Sequence, residues 1–213
     1  RPMWAWGLGF ATSTRGGDHL RTQPAPEFMF TPEEAEKFIG TPKISDRFGW
    51  EGKGRLVAWC QHIRAINDSL ENCKYFFRGS PRLYVEFPAR MLTATTGLNW
   101  TYENVMKCGE RIYNMEKAFN VREGLGRKDD YLPDRFYKEP LSQGPFKGTV
   151  MPREKFDLML EEYYAVRGWD KKTGLQTRVK LEELGLKYVA DELEGMGRLA
   201  QPKGAERKTR RET

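Results

Sequence analysis

Cysteine is scarce in this sequence, and long apolar runs are missing. The three cysteines, Cys60, Cys73 and Cys108, form no CxxC pair and no even disulfide set. This pattern favours a reducing, intracellular compartment, so we expect a cytoplasmic protein. No stretch approaches the roughly 18 apolar residues that a membrane span needs, and we expect no span. Because the sequence opens with Arg1 and not with an initiator Met, we expect a processed start or a piece of a longer chain, and we expect no signal peptide in its opening residues.

A strong net charge is also missing from most of the chain. Lys and Arg number 36 against 30 Asp and Glu, which gives a net charge of +6. Half of this excess lies in residues 203–213, where five basic residues face two acidic ones. We expect the basic tail, residues 201–213, to be disordered. Because the rest is only mildly basic, we expect no nucleic-acid partner.

Alternating apolar and polar residues, which are typical of half-buried strands, are nearly absent. The fold class that we predict is therefore all-α, an irregular multi-helix architecture of one or two subdomains. The helices that apolar spacing predicts most clearly are 54–66, 101–120 and 152–167. We expect the first of them to end in a chain break at Asn67 and Asp68. Local signals predict a short helix capped by Thr31 and ended by Gly40.

The segment STRGGDHLR places two arginines, an aspartate and a histidine beside two glycines. Glycine lets a backbone approach a ligand closely, and arginine binds phosphate with two parallel hydrogen bonds. Histidine can donate a hydrogen bond or transfer a proton near neutral pH. As a pattern alone, the segment is more typical of a charged surface turn. Its candidate functional side chains are Arg15, Asp18, His19 and Arg21.

The segment NDSLENC sets Asp68 five residues ahead of Cys73, directly after a predicted helix. A thiolate can ligate iron, and a carboxylate can accept hydrogen bonds from a ring amide. One cysteine cannot hold a four-iron cluster, which needs four ligands. Taken alone, the segment is more typical of a helix end with a small buried thiol.

The loop 120–135 carries charges of alternating sign, including the adjacent acids Asp129 and Asp130. The two acids could suggest a metal site, but no third ligand at a suitable spacing stands out. We interpret the segment as a loop held by Arg–carboxylate pairs. His62 lies within a predicted helix, and we interpret it as a helix-face residue.

These segments, in this order, resemble a known family far more specifically than any one of them does. GFATSTRGGDHLR, INDSLENCKYF, GERIYNMEKAFNVREGLGRKDDYLPDRF and LEELGL are similar to the C-terminal part of the tungsten-containing aldehyde ferredoxin oxidoreductases. The resemblance runs from about Trp4 to about Leu186. It implies a tungsten ion, rarely molybdenum, held by two pterins (a tungsten bis-pterin, or tungstopterin) beside a [4Fe–4S] cluster. It also implies a helical cofactor-facing region, 1–100, and a helical C-terminal region, 101–200.

The family's D-x-x-G-L-C motif corresponds to the segment from Asp68 to Cys73. By this resemblance, Asp68 would hold a pterin and Cys73 would be the fourth ligand of the cluster. The DHL turn would place His19 beside the metal, as the catalytic residue, and Arg21 at a pterin. The cofactor-binding residues that we expect are Arg15, Asp18, Arg21, Asp68 and Asn72.

Two departures from the family pattern bear on the cofactor site. Glu71 and Asn72 replace the family's Gly-Leu. Glu71 adds bulk and a negative charge, which near a cluster would lower its reduction potential. The family's β-rich domain and its other three cluster cysteines lie outside this sequence. We therefore expect the remaining N-terminal part of the enzyme to complete the site.

The resemblance implies oxidation of aldehydes to carboxylates, with electrons leaving through the cluster to ferredoxin or to an iron–sulfur electron-transfer subunit. It also implies an oligomer. One alternative is the catalytic subunit of an aromatic acyl-CoA reductase of the same family, since the loops do not separate an aldehyde from an acyl-CoA. A second alternative is a cofactor-free helical interaction module, whose signature would be strongly salt-dependent association. The joint presence of His19, Asp68 and Cys73 favours the oxidoreductase.

Overall fold

The computed structural model describes residues 3–46, 48–75, 83 and 86–201. Within these ranges the chain is helical, and the only β-type pairing is an isolated bridge between Trp169 and Gln176. The all-α prediction is confirmed. The basic tail predicted to be disordered lies, apart from residue 201, outside the described residues. Among the described helices, none combines the length and apolar character that crossing a membrane requires.

Ten α-helices are described, and two short 3₁₀ turns lie between them. The helices are α1 Trp4–Ala11, α2 Pro26–Met29, α3 Pro32–Ile39, α4 Lys53–Ser69, α5 Phe87–Thr96, α6 Tyr102–Arg122, α7 Arg135–Lys138, α8 Arg153–Arg167, α9 Arg178–Glu183 and α10 Lys187–Gly195. The 3₁₀ turns are Pro42–Ser45 and Arg127–Asp129.

The helix ends that rest on local signals are confirmed. The Thr31 hydroxyl accepts a hydrogen bond from the backbone N–H of Glu34, and the Glu34 carboxylate accepts one from the backbone of Thr31. This reciprocal pair satisfies two N–H groups that the first turn of a helix leaves open. At the other end, Gly40 adopts a φ of 82°, a conformation that glycine takes without a steric penalty. Thr101 caps α6 in the same way as Thr31 caps α3.

The end of α4 differs from the prediction. The helix does not break at Asn67 and Asp68 but continues to Ser69. Asn67 is fully buried, so tertiary packing outweighs its preference for a turn. The helix ends where Glu71 takes a φ of 55° and the backbone N–H of Asn72 donates to Asn67 O at 2.9 Å. Asp68 therefore lies in the last turn of α4.

The core is built around α4, which packs against α1, α6 and α8. Two glycines permit the closest approaches. A Cβ on Gly54 would overlap the backbone of α8 at Tyr163, and a Cβ on Gly109 would overlap the carbonyl of His62. Because α4 and α6 meet at backbone distance, residues 53–69 and 102–122 form one packed unit. The predicted division at residue 100 stays a prediction.

Candidate functional site

The segment predicted as a ligand-binding turn connects α1 to α2 and folds around Asp18. The Asp18 carboxylate accepts a hydrogen bond from the backbone N–H of Leu20 at 2.6 Å and another from the Arg15 guanidinium. Burial favours a higher pKa for Asp18, but these hydrogen bonds outweigh it and hold the pKa below its ordinary value. Asp18 is thus ionised and shapes the turn from inside, while Arg15 remains exposed.

Arg21 joins three segments that are distant in sequence. Its guanidinium donates to the carboxylate of Asp68 at the end of α4 and to that of Glu116 in the middle of α6. The Arg21 side chain is 8% exposed, so these ion pairs lie largely out of water. Burial would lower the pKa of Arg21, but the pairs with Glu116 and Asp68 raise it above its ordinary value. The turn and the NDSLENC segment are therefore brought together in the fold.

Glu116 is a functional candidate that the sequence did not single out. Besides binding Arg21, its carboxylate accepts a hydrogen bond from the Thr14 hydroxyl at 2.6 Å. One turn further along α6, Asn120 donates to the carbonyl oxygen of Thr14 at 2.7 Å. Helix α6 therefore holds the turn from one side.

Asp68 has a second cationic partner, because the Lys74 ammonium lies 2.8 Å from its carboxylate. The Asp68 side chain is nevertheless 29% exposed. The carboxylate is thus held between Arg21 and Lys74, and its exposed edge can accept further hydrogen bonds.

His19 lies at the surface of the same turn. Its ring stacks on Trp6, with ring centroids 6.1 Å apart and planes 30° from parallel. The Phe10 ring contacts the imidazole from a second side, with ring centroids 6.4 Å apart and ring planes 61° from parallel. No hydrogen bond from a described residue reaches the His19 ring nitrogens. The imidazole is therefore held by apolar contacts from α1, and its nitrogens can bind a ligand.

The segment after α4 presents the candidate metal ligand. Cys73 is an exposed free thiol. Glu71 takes the left-handed backbone conformation that a glycine adopts most easily, which explains the glycine that the family motif has here. The backbone at position 71 therefore has the conformation that the motif's glycine would adopt, although the residue here is a glutamate.

Several buried polar atoms around Arg21 and Asp68 lack a hydrogen-bond partner among the described residues. The Asn67 side chain is fully buried, and both its amide oxygen and its amide nitrogen are unpaired. The Asn72 amide nitrogen and Arg21 Nε are also unpaired. Buried polar groups in folded proteins are nearly always hydrogen-bonded, so this cluster indicates a missing polar partner. Asp68, whose side chain is 29% exposed, is the member of this cluster that a ligand can reach directly.

Gln23, like Glu71, has a positive φ although it is not a glycine. It is buried, its amide oxygen has no partner, and its φ is 43°, which is unfavourable for any residue with a side chain. Strain of this kind is concentrated at binding sites. Gln23 and Asn67 were both missed by sequence reasoning, because a single Gln or Asn carries no pattern.

The other two cysteines do not join Cys73. Cys60 is buried in α4, and burial raises the pKa of its thiol to about 12. Cys108 is half-buried on α6, packed against the small apolar cluster of Ile66, Ala89 and Val105. Both therefore serve packing in the described structure. Within the described ranges, no group of three His, Cys, Asp or Glu side chains could hold a metal ion.

The charged loop after α6 is held by ion pairs, in agreement with its interpretation from the sequence. Asp130 is buried and binds the Lys117 ammonium at 2.9 Å and the Tyr164 hydroxyl at 2.6 Å. Arg127 pairs with Asp157 of α8 at 3.1 Å.

A cavity of about 790 Å³ lies between the turn and this loop. Its walls are residues 10–17, the α6 residues Lys117 and Asn120, and parts of the loop after α6. The loop contributes Leu125, the two acids Asp129 and Asp130, and the side chains of Tyr131, Leu132, Pro133 and Phe136. Phe10 lines the cavity and also contacts the His19 ring. The cavity is large enough for a small organic molecule, and it lies next to the turn that carries His19.

Comparison with known proteins connects this site to one family. Residues 1–186 match the family described as aldehyde ferredoxin oxidoreductase, domains 2 and 3. The chain is 37% identical over 183 residues to the tungsten-containing aldehyde ferredoxin oxidoreductase of Pyrococcus furiosus, which covers 84% of this chain and 27% of that protein. It is 29% identical over 185 residues to the aliphatic sulfonate oxidoreductase, WOR-like subunit, of the same organism, covering 84% of this chain and 24% of that protein. The chain thus spans about a quarter of the length of these relatives.

Among solved structures, the chain is similar to the active site complex BamBC of benzoyl coenzyme A reductase in complex with 1,5 dienoyl-CoA. The TM-score is 0.60 and the identity 22%, over 82% of this chain and 28% of that chain. At this identity the similarity concerns the fold.

Proposed function

The chain belongs to the aldehyde ferredoxin oxidoreductase family, and we propose that it forms the C-terminal part of a tungsten-bis-pterin, iron–sulfur oxidoreductase that oxidises aldehydes to carboxylates. The observation that carries the proposal is the polar cluster at the end of α4. There, the charged pair of Arg21 and Asp68 adjoins the buried, unpaired amide groups of Asn67 and Asn72. Unpaired polar groups destabilise a hydrophobic core, whereas the donors and acceptors of a pterin edge would pair with such groups.

In this proposal Asp68 accepts hydrogen bonds from a pterin ring, and Arg21 and Lys74 hold its carboxylate in place. Asn67 and Asn72 supply the remaining donors and acceptors. Arg15 and Asp18 contribute by fixing the turn around which Arg21 enters the site. When bound, the tungsten pterin supplies two-electron redox chemistry, and the iron–sulfur cluster passes the electrons on singly to ferredoxin or to an iron–sulfur subunit.

Cys73 is the one cluster ligand that this chain contributes in the proposal. Its thiol is exposed, unlike that of Cys60, and it follows the pterin-facing segment directly. The remaining ligands come from the N-terminal part of the enzyme, which the cofactor-facing region, 1–100, would contact. The C-terminal region, 101–200, supports that region through α6. The complete enzyme is expected to be an oligomer.

His19 is proposed to bind the substrate's carbonyl oxygen and to exchange a proton with it. Trp6 and Phe10 hold the imidazole in place without occupying its nitrogens. The neighbouring cavity would take the apolar body of the aldehyde against Leu132, Pro133 and Phe136, which form the apolar part of its wall. Binding the body there directs the carbonyl end toward the turn.

Metal analysis of the complete enzyme, purified anaerobically, tests the proposal. Tungsten together with about four irons per catalytic chain is expected. In a Cys73→Ser variant the cluster should be lost or destabilised, so unchanged iron content and an unchanged electron paramagnetic resonance signal would contradict the ligation. In a His19→Ala variant turnover should fall sharply while the tungsten content stays normal. Loss of tungsten instead would assign His19 a structural role.

Two other functions lead to different outcomes. A reductase of aromatic acyl-CoA thioesters shares the fold likeness described above, and assays of both substrate classes with a low-potential mediator separate the two reactions. A cofactor-free interaction module would yield a protein with neither tungsten nor iron. The buried, unpaired amide of Asn67 favours the cofactor-binding enzyme over this module.

A further inference from the structure

One side chain bonds to both ends of the turn that carries His19 and Arg21. Thr12 lies immediately before the turn and Thr22 immediately after it. The amide nitrogen of Gln61, in α4, donates to the hydroxyl oxygens of Thr12 and Thr22, at 3.1 Å in each case. Gln61 is 0% exposed, so water does not compete for either bond.

The direction of these bonds is fixed by the other end of the Gln61 amide. Its oxygen accepts from the Arg167 guanidinium at 2.5 Å and from the Tyr163 hydroxyl at 2.8 Å. A guanidinium has no acceptor, so the amide oxygen must face Arg167 and the amide nitrogen must face the threonines.

The threonine hydroxyls can only accept from Gln61, since each donates to a carbonyl of α1. Thr12 donates to Leu8 O at 2.8 Å, and Thr22 donates to Gly9 O at 3.4 Å. Gly9 has no Cβ, which lets the Thr22 side chain lie against α1. The turn is thus tied to α1 through its threonines and to α4 through one amide.

Arg167 explains why the amide is held so firmly. It is 1% exposed, and no described carboxylate pairs with it. Its charge is stabilised by the Gln61 oxygen, by His62 Nε2 at 3.1 Å and by the face of the Tyr113 ring at 4.0 Å. Few neutral acceptors are available to this cation, so releasing Gln61 would leave it with a buried unpaired donor.

We propose that Gln61 is a positioning residue: its amide clamps Thr12 and Thr22, and thereby sets the place of His19 and Arg21 between them. The catalytic consequence rests on the proposed function, whereas the clamp itself does not. Its test is the Gln61→Glu variant in the complete enzyme. A glutamate still accepts from Arg167 and Tyr163, but it cannot donate to the two threonines.

The Gln61→Glu protein should keep its melting temperature, because the new carboxylate pairs with the unpaired cation. The turn should nevertheless loosen. In amide hydrogen exchange, the peptide covering residues 12–25 should exchange roughly tenfold faster, as expected from the loss of two buried hydrogen bonds. Misplacement of His19 should lower kcat by about tenfold or more, with a smaller change in KM.

Gln176→Glu is the matched control. Gln176 is also a buried glutamine, but its amide nitrogen donates to the backbone and side-chain oxygens of Asn114, at 2.8 Å each, and does not touch the turn. Because its carboxylate would face two acceptor oxygens, this variant is compared at matched global stability, and exchange in the turn relative to the rest of the chain should then be unchanged. Equal exchange in both variants would overturn the clamp.

If Gln61→Glu lowers the melting temperature strongly, Thr22→Val decides the question, because it removes one end of the clamp and leaves Gln61 on Arg167. Faster exchange in the turn then supports the clamp, and unchanged exchange overturns it. Faster exchange with unchanged kcat and KM would keep the clamp but contradict the catalytic role proposed for the turn. Failure of the clamp and failure of the proposed catalytic role are therefore distinguishable.

Discussion

The packing of His62 against Arg167 makes a specific prediction about the pH dependence of stability. Burial, followed by the charges of Arg167 and Lys180, holds the pKa of His62 well below its ordinary value of 6.5. The imidazole is therefore neutral in the folded chain and accepts the hydrogen bond from Arg167. The unfolded chain has no such environment, so its His62 takes up a proton as the pH falls below about 6.5.

The sign and size of the effect follow from proton linkage. Below about pH 6.5 the unfolded state binds one more proton than the folded state, so stability falls as the pH falls. A single proton gives at most about 1.4 kcal/mol per pH unit, and thus about 1.4 kcal/mol of lost stability at pH 5.5. Above pH 6.5 the contribution of neutral His62 is fully present.

The assay is urea unfolding of the chain between pH 7.5 and 5.5, compared with a His62→Gln variant. Glutamine does not titrate, and its amide oxygen can still accept from Arg167, so the variant should lose less stability in acid by about 1.4 kcal/mol at pH 5.5. A His19→Gln variant, which changes the other histidine, should retain the acid-side loss. Equal losses in the parent chain and in His62→Gln would refute the reasoning.

Three further variants test other contacts by equilibrium unfolding. Lys53→Met removes the ammonium that lies 2.6 Å from the buried carboxylate of Glu27 and should lower the free energy of unfolding by about 1.5–3 kcal/mol. A loss below about 1 kcal/mol would contradict this prediction. Glu71→Gly removes the strain of a side chain in the left-handed backbone conformation and should raise the free energy of unfolding by up to about 1 kcal/mol. A lower free energy of unfolding would contradict this prediction. Glu116→Gln removes one of two carboxylates on Arg21 and should cost about 1–2 kcal/mol, discounted for partial exposure; no loss would mean that Asp68 alone holds the guanidinium.

The parts of the fold that were predictable rest on neighbouring residues. Thr31, Gly40 and Thr101 act within one helical turn, so their effect can be read from the sequence. The end of α4 was predicted wrongly because Asn67 prefers a turn locally but is buried by the rest of the chain. That burial depends on residues far away in sequence, which periodicity does not include.

The site was predictable to the extent that motifs mark it. His19, Arg21 and Asp68 stand in segments that resemble the family, and Arg21 and Asp68 do meet in the fold. Glu116 and Gln61 had no such signal. A glutamate or glutamine within an amphipathic helix looks like any surface residue, and Glu116 reaches Arg21 across 95 positions of sequence. A contact at that separation follows only from the tertiary packing of the turn against α6.

Helix α4 carries both Gln61, which binds Thr12 and Thr22, and Asp68, which binds Arg21. The number of residues between Gln61 and Asp68 is therefore fixed by the contacts that each must make. Gln61 and Asp68 are seven residues apart, so they lie on nearly the same side of the helix and about 10.5 Å apart along its axis. One inserted or deleted residue between them would turn one by about 100° relative to the other. Either Thr12 and Thr22 or Arg21 would then lose its partner. Insertions should therefore be tolerated in the loop at 139–150, but a single one inside α4 should uncouple the two ends of the site.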